Sequence, residues 1–221
     1  MLFELLQGFF ALGTVQKITV SAIPVIFAIT VHEAAHGYAA RYFGDMTAQA
    51  MGRISLNPIR HIDPVGTILV PAITMFAGGM LFGWAKPVPV DFSRLRNPKK
   101  DMLWVAAAGP LSNLVMAILW ALFINLHGVL PPDLAAPAAF MGAVGVLINV
   151  VLMVLNLLPL PPLDGGRIVV SLLPNHLAAK FARIEPYGFI ILLVLLFTHL
   201  LGTIMNPFVF AVMSVISQVF V

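Results

Sequence analysis

Residues 29–40 read ITVHEAAHGYAA, and they continue an almost wholly apolar run from Ile18 to Val31. On a helix, His32 and His36 lie four residues apart and therefore point from the same face. Two imidazoles at this spacing can bind one Zn²⁺, and Glu33 beside them can reach a metal-bound water as general base. Histidine and glutamate are costly in apolar surroundings unless they are paired, metal-bound or facing a wet cavity. The motif therefore predicts a zinc hydrolase site set inside a membrane.

The composition is that of a polytopic membrane protein in contact with the lipid bilayer. Of the 221 residues, 60% are hydrophobic and 10% are charged, whereas soluble domains contain about 25% charged residues. The net charge of +3 does not indicate nucleic-acid binding, because the basic residues lie in short loops between apolar runs, as cytoplasmic loops do. The chain has no cysteine, so a metal must be held by His, Asp or Glu side chains.

The apolar runs predict an all-α fold of about five to six transmembrane helices, in one domain over residues 1–221. The expected elements are a short interfacial helix over 1–12, spans over 17–43, 102–126 and 138–158, and a final helix pair over 187–201 and 206–221 that turns at Gly202. The catalytic core is expected within about 17–167 and the helix pair within 187–221. The loop 127–137 lacks Lys and Arg and is expected outside the cell.

The connection between the first two core spans is expected to be re-entrant or hairpin-like. Asp63 and Pro64 form a typical helix start, with Asp63 as the N-cap. Residues 65–82 are apolar but lie between two basic loops, so a full crossing would place one basic loop outside, against the positive-inside tendency. The sequence Lys86–Val90 is extended by its prolines and rich in β-branched residues, which favours an edge strand able to pair with an unwound substrate.

Asp164 is the favoured third zinc ligand among the remaining acidic and histidine residues. It lies at the inner end of an apolar span, at a depth similar to that of the two histidines, and the glycines after it allow a sharp turn that aims the carboxylate inward. The alternative is that Asp164 caps a helix that begins near Arg167. His61 is the next candidate ligand, although its polar loop favours a gating or structural role. The other histidines are expected at surfaces or helix ends, namely His127, His176 and His199.

Three ordered motifs carry a family resemblance: HExxH at residues 32–36, GPxxN at 109–113 and NxxPxPPLDGG at 156–166. Together they resemble the site-2 protease family (peptidase family M50) of intramembrane zinc metalloproteases, and most closely its short bacterial and archaeal members without PDZ or CBS domains. The loop FGWAKPVPV at 82–90 and the NPxxH element at 57–61 are also similar to that subgroup.

The resemblance implies a site and an activity. One zinc ion would be bound by His32, His36 and Asp164, with Glu33 as general base and Asn156 or Asn113 as the polar partner of the substrate or oxyanion. For both asparagines, helix–helix hydrogen bonding is the alternative role. The expected substrate is a single-span membrane protein or a signal-peptide remnant, and the expected place is a prokaryotic plasma membrane with the site toward the cytoplasm. The competing functions are a metal or proton transporter and a non-catalytic scaffold. The oligomeric state is not predicted.

Overall fold

The computed structural model describes residues 1–70, 83 and 85–221, and these form α-helices and short helical turns. The α-helices are α1 (Leu2–Ala11), α2 (Thr14–Tyr42), α3 (Thr47–Ala50), α4 (Pro98–Ile124), α5 (Pro132–Asn156), α6 (Asp164–Leu172), α7 (Asn175–Ala182), α8 (Glu185–Phe197) and α9 (Leu200–Phe220). The short turns are Pro58–His61, Pro64–Leu69, Phe92–Arg94 and Asn125–Val129. The described part of the chain contains no β-strand, so the predicted all-α class is confirmed for it.

Four described helices are long and apolar enough to cross a membrane: α2, α4, α5 and α9. The shortest, α9, has 21 residues and extends for about 31 Å, which matches a hydrocarbon core of about 30 Å. Large apolar side chains stay exposed on their outer faces, as with Phe27 at 52% and Val115 at 57%. Such surfaces are those that lipid covers. The chain is therefore an integral membrane protein, whereas α8, with 13 residues, is shorter than a bilayer is thick.

Small residues let α4 and α5 approach closely at the centre of the bundle. A Cβ atom added at Gly145 would lie 2.3 Å from Trp120 Cγ, and one at Gly142 would lie 2.6 Å from Ile124 Cγ1. Close approach through small side chains is the usual way in which membrane helices gain van der Waals contact. The surrounding core also takes in α1, whose Leu2 and Leu6 are buried in it. The predicted N-terminal helix is confirmed, with one face packed against the bundle.

The start and end of α2 differ little from the predicted span over 17–43. The start of α5 differs more from its predicted position at 138. Helix α2 begins at Thr14 and includes Pro24, and it ends before Gly44, which has a positive φ of 110°. The predicted loop over 127–137 is too long, because α5 already begins at Pro132 and contains Pro137. Proline is well suited to the first helical position, since the N–H that it lacks has no partner there. The predicted start of this span at 138 is therefore too late.

The C-terminal helix pair turns at a different residue from the one predicted. The structure ends α8 at Phe197 and begins α9 at Leu200, so Gly202 lies inside α9. The turn is made by His199, which has a left-handed φ of 60°. Left-handed φ is rare for residues other than glycine, which is why Gly202 was the expected turn.

The connection between α2 and α4 is described only in part. The predicted cap is confirmed, because Asp63 Oδ1 accepts hydrogen bonds from the N–H groups of Val65 and Gly66. Residues 71–82, on which the predicted re-entrant hairpin depends, and residue 84 lie outside the described residues. The predicted edge strand at 86–90 is wrong for the described part of the chain, where this segment is irregular and pairs with no strand. β-Branched residues favour a strand, but a ladder also needs a partner with free backbone groups.

Candidate metal centre

His32 and His36 project from one face of α2, and their Nε2 atoms lie 3.1 Å apart. Asp164, the first residue of α6, joins them from a distant part of the sequence. Its Oδ2 atom lies 3.3 Å from each of the two Nε2 atoms. These three side chains are the group of potential metal ligands that the described residues bring together, and all three are buried. Structure and sequence thus agree on which side chains meet.

Hydrogen bonds to the other ring nitrogens fix the tautomers of both histidines. His32 Nδ1 lies 2.6 Å from Asn113 Oδ1, and His36 Nδ1 lies 2.8 Å from the carbonyl oxygen of Val105. Both partners are acceptors, so each Nδ1 carries a hydrogen and each neutral ring presents a lone pair at Nε2. Two such lone pairs cannot form a hydrogen bond with each other. The tautomers therefore leave two buried acceptors facing one point.

Asp164 adds a third acceptor to the same point. Its Oδ2 atom is buried and has no hydrogen-bond partner among the described residues. A buried carboxylate oxygen without a donor is strongly unfavourable unless a cation neutralises it. Three converging lone pairs without a donor are what a metal ion requires.

The spacing of the three atoms fits zinc. Zn²⁺ binds imidazole nitrogen and carboxylate oxygen at about 2.0–2.2 Å in tetrahedral geometry, which places its ligand atoms about 3.3–3.5 Å apart. The measured separations are 3.1, 3.3 and 3.3 Å. Two His and one carboxylate is also a ligand set found in catalytic zinc sites, in which the fourth position stays open.

Gly109 of α4 makes room for the imidazoles. A Cβ atom at this position would lie 2.4 Å from His36 Nε2 and 2.6 Å from His32 Nε2. The two rings thus lie directly against the backbone of α4. This contact explains the glycine of the GPxxN motif, whose role the sequence alone does not indicate.

Two further glycines position Asp164, although not by the sharp turn that the sequence suggested. Both Gly165 and Gly166 lie in α6, which begins at Asp164 itself, with Leu163 as N-cap. The alternative of a helix that starts near Arg167 with Asp164 as its cap is therefore wrong. A Cβ at Gly165 would lie 2.3 Å from the carbonyl oxygen of Leu157, and one at Gly166 would lie 2.3 Å from the backbone nitrogen of Pro161. The proline-rich loop 157–163 thus folds back tightly on the start of α6 and fixes the position of the carboxylate.

Glu33 lies beside the three ligands without joining them. Its side chain is half-buried, and its Oε2 atom accepts a hydrogen bond of 2.8 Å from the backbone N–H of Val88. Val88 also approaches α2 at Gly37, where an added Cβ would lie 3.2 Å from Val88 Cγ1. The segment that was expected to be an edge strand is thus held against the HExxH helix.

The two predicted asparagines have different surroundings. Asn113 is fully buried, and besides meeting His32 its Nδ2 donates to the Ala28 carbonyl and to Asn149 Oδ1, at 3.2 and 2.9 Å. Asn156 is half-buried, and its Nδ2 donates to the Leu152 carbonyl of its own helix, at 3.0 Å.

Asn149 is the residue of this network that the sequence analysis missed. It is fully buried and donates to the Gly145 carbonyl of its own helix. The available signal was a polar side chain in an apolar helix, two turns before Asn156, which is the same reasoning that singled out the other asparagines.

His61 is placed away from the metal ligands. It is buried, and its Nε2 lies 2.8 Å from the carbonyl oxygen of Ser55. It does not belong to the ligand group found among the described residues. Its contact instead favours the structural role that was the alternative.

Comparison with known proteins gives one family and several relatives. The sequence profile of peptidase family M50 matches residues 132–199. A protein of Bacillus subtilis (strain 168) named "Putative zinc metalloprotease YwhC" is 42% identical over 189 residues, covering 84% of this chain and 83% of that protein. "Putative zinc metalloprotease Rip2" of Mycolicibacterium smegmatis is 32% identical, covering 80% of this chain and 66% of that protein. The protein of the same name from Mycobacterium tuberculosis (strain H37Rv) is 30% identical, covering 77% and 63%. No solved structure matches the chain significantly.

Proposed function

Because this chain belongs to peptidase family M50, a family of zinc metalloproteases, we propose that it is an intramembrane endopeptidase that cleaves proteins in or near their transmembrane segments. The observation that carries this proposal is the convergence of three buried acceptors, from His32, His36 and Asp164, on one point of an apolar helix bundle. Glu33 lies on the same turn of the same helix. We assign the whole chain, 1–221, to a single protease domain with five to six spans.

The depth of the site supports cleavage within the membrane. At 1.5 Å per residue, His36 lies about 9 Å and His32 about 15 Å from the end of α2 at Tyr42. Since α2 is long and apolar enough to cross a membrane, both ligands belong to a candidate span, in its C-terminal half. This position supports a reaction in which the peptide bond enters the bilayer region to reach the ligands.

The distribution of charge supports a site that opens toward the cytoplasm. All of the 12 Lys and Arg residues except Lys17 lie either from Arg41 to the first turn of α4, or from the first turn of α6 to the residues just before α8. The end of α2, the start of α4 and the start of α7 are adjacent. The Arg96 N–H donates to the carbonyl of Phe43, and Lys99 Nζ lies 2.9 Å from Asn175 Oδ1. Basic loops of membrane proteins face the cytoplasm. In a prokaryotic plasma membrane, the ligand end of α2 then faces inward.

The residues of the site have separate tasks in peptide hydrolysis. His32, His36 and Asp164 would hold the zinc ion, which when bound polarises the scissile carbonyl and lowers the pKa of water from about 15.7 to about 7. Glu33 takes the proton from the attacking water and passes it to the leaving amine. Burial of the site excludes bulk water, which strengthens each of these electrostatic contacts.

The asparagines are assigned by their contacts. Asn113 orients His32, since its Oδ1 holds the Nδ1 hydrogen of that ring. Asn156 is assigned to the developing oxyanion, because it is half-buried and needs only to release a carbonyl of its own helix to donate elsewhere. Asn149 accepts a hydrogen bond from Asn113 Nδ2 and, among the described residues, makes no hydrogen bond to the three ligands.

The substrate class follows from the setting. A helix in the membrane hides its carbonyls in hydrogen bonds between residues i and i−4, so a substrate helix must unwind before a carbonyl can react. A single-span membrane protein or a signal-peptide remnant can enter such a site from the side and unwind near the bundle.

The test is Glu33→Gln in purified protein with a single-span substrate. The variant keeps shape and hydrogen-bonding capacity but cannot accept the proton, so we expect one zinc per chain and no cleavage. Glu33→Gln with wild-type cleavage would overturn the proposal. So would a wild-type protein that moves metal or protons across vesicles and continues to do so in Glu33→Gln, since a transporter does not need the base.

A further inference from the structure

The general base of the proposed reaction is held by a backbone group far along the chain. Val88 N–H donates to Glu33 Oε2 at 2.8 Å; Val88 itself is 7% exposed, and the Glu33 side chain is half-buried. No described donor contacts the other carboxylate oxygen, Oε1. Among the residues that the structure describes, one oxygen of Glu33 thus accepts a hydrogen bond and the other does not.

The donor is isolated by its neighbours. Within the proline segment, which we define as Lys86–Val90, the residues on either side of Val88 are prolines and have no N–H. The N–H of Lys86 donates to the carbonyl of His61 at 2.9 Å. Val90 N–H has no acceptor among the described residues. Val88 therefore provides the one backbone donor of this segment that reaches Glu33.

The proline segment is fastened on both sides of Val88. Arg53 Nη2 donates to the carbonyls of Lys86 and Pro87, at 3.0 and 3.3 Å. On the other side, the N–H of Asp91 donates to Asp45 Oδ2 at 2.7 Å, and Asp45 is fully buried. Prolines restrict the backbone between these two anchors. The Val88 N–H is consequently held in place before any substrate arrives.

We propose that the backbone N–H of Val88 positions the general base: it fixes the carboxylate of Glu33 through Oε2 and leaves Oε1 as the atom that accepts the proton of the attacking water. A flexible glutamate samples several rotamers, and only some of them place an oxygen within reach of a reacting water. A fixed donor selects one of these rotamers at no cost in the catalytic step. This inference rests on the proposed function, since it assigns Glu33 as the base.

The test compares Val88→Pro with two matched variants. Val88→Pro removes the N–H at a site whose neighbours already restrict it to extended backbone. Val88→Ala keeps the N–H but shortens the side chain. Val90→Pro adds a proline at a position whose N–H has no acceptor among the described residues. The measurements are kcat, KM, zinc per chain and thermal stability, with a purified single-span substrate. We expect Val88→Pro to lower kcat by about 10–100-fold, as removal of an orienting partner does elsewhere, with KM and zinc content unchanged. Val90→Pro should keep wild-type kcat, and Val88→Ala should lose less kcat than Val88→Pro because it retains the N–H.

Four results would overturn the inference. Wild-type kcat in Val88→Pro would show that the donor is dispensable, and a raised kcat would identify the contact as an inhibitory latch. An equal fall of kcat in Val90→Pro would assign the effect to the shape of the segment. A change confined to KM would assign it to pairing with the substrate.

A backbone ester at residue 88 removes the N–H but keeps the valine side chain, and it decides the question if Val88→Pro does not fold. The expected result is the same loss of kcat, whereas wild-type kcat in the ester would refute the inference. Failure here leaves the proposed function intact as long as Glu33→Gln binds zinc and does not cleave.

Discussion

Replacing Gly109 with alanine tests the zinc site by adding a single methyl group. The new Cβ would lie 2.4 Å from His36 Nε2, whereas ordinary contacts begin at 3.4 Å, so the imidazole must retreat by about 1 Å. Ligand distances in a zinc site are held to about 0.2 Å. The required displacement is thus several times larger than the site can accept while both rings stay bound.

The expected result is a loss of zinc without a loss of the fold. An imidazole is the end of a flexible side chain, so it can move away without disturbing α4, and alanine in a helix is more favourable than glycine by about 0.5–1 kcal/mol. Since 10–100-fold of metal affinity is lost when only an orienting partner is removed, we expect at least ~100-fold here. Competition with a chelator of known affinity measures the zinc affinity, and circular dichroism measures helix content.

Gly202→Ala is the matched control. Gly202 is also helical, and the nearest atom to an added Cβ is Asn206 Nδ2 at 3.9 Å, so this variant should bind zinc and cleave substrate like the wild type. Wild-type zinc affinity in Gly109→Ala would refute the reasoning, because it would mean that the metal is not held by the two rings that lie against Gly109.

Four other perturbations of the site have equally specific outcomes. Asn113→Ala frees the His32 ring and should lower zinc affinity by about 10–100-fold. Asn156→Ala should keep zinc and lower kcat by about 10²–10³-fold, as removal of an oxyanion donor does. Chelator competition measures the zinc affinity and steady-state kinetics measure kcat, and a reversed pattern would exchange the roles of the two asparagines. Asp164→Asn keeps the shape but removes the negative charge, and a full zinc complement by elemental analysis would contradict its role as ligand. Removing zinc from Glu33→Gln with a chelator should lower the free energy of unfolding by about 4 kcal/mol, if zinc was present at 1,000 times its dissociation constant. Denaturant unfolding in detergent measures this change, and an unchanged unfolding midpoint would argue against a bound metal.

The parts of the site that could be predicted are those that local geometry determines. The spacing of His32 and His36 follows from the helical period, and their apolar surroundings indicated that they are paired, metal-bound or facing a wet cavity. Asp164 was predicted from its depth at the end of a span and from its motif. The structure places its Oδ2 atom 3.3 Å from both histidine Nε2 atoms.

The parts that were missed depend on contacts between distant residues. Nothing local to Val88 or Glu33 indicates that they meet, and the β-branched pattern at 86–90 led instead to a strand for which the described chain supplies no partner. Tertiary context likewise overrides a local preference at His199, which adopts the left-handed turn that a glycine three residues later would accept without strain.

The central claim is that two imidazoles and one carboxylate hold a zinc ion inside the membrane, and the zinc K-edge X-ray absorption spectrum of the purified protein tests it most directly. The predicted spectrum has two imidazole nitrogens and the remaining ligands as oxygen, at about 2.0–2.2 Å, and Asp164→Asn should lose most of the zinc absorption. A spectrum without imidazole scattering, or one unchanged in Asp164→Asn, would contradict the assignment of His32, His36 and Asp164.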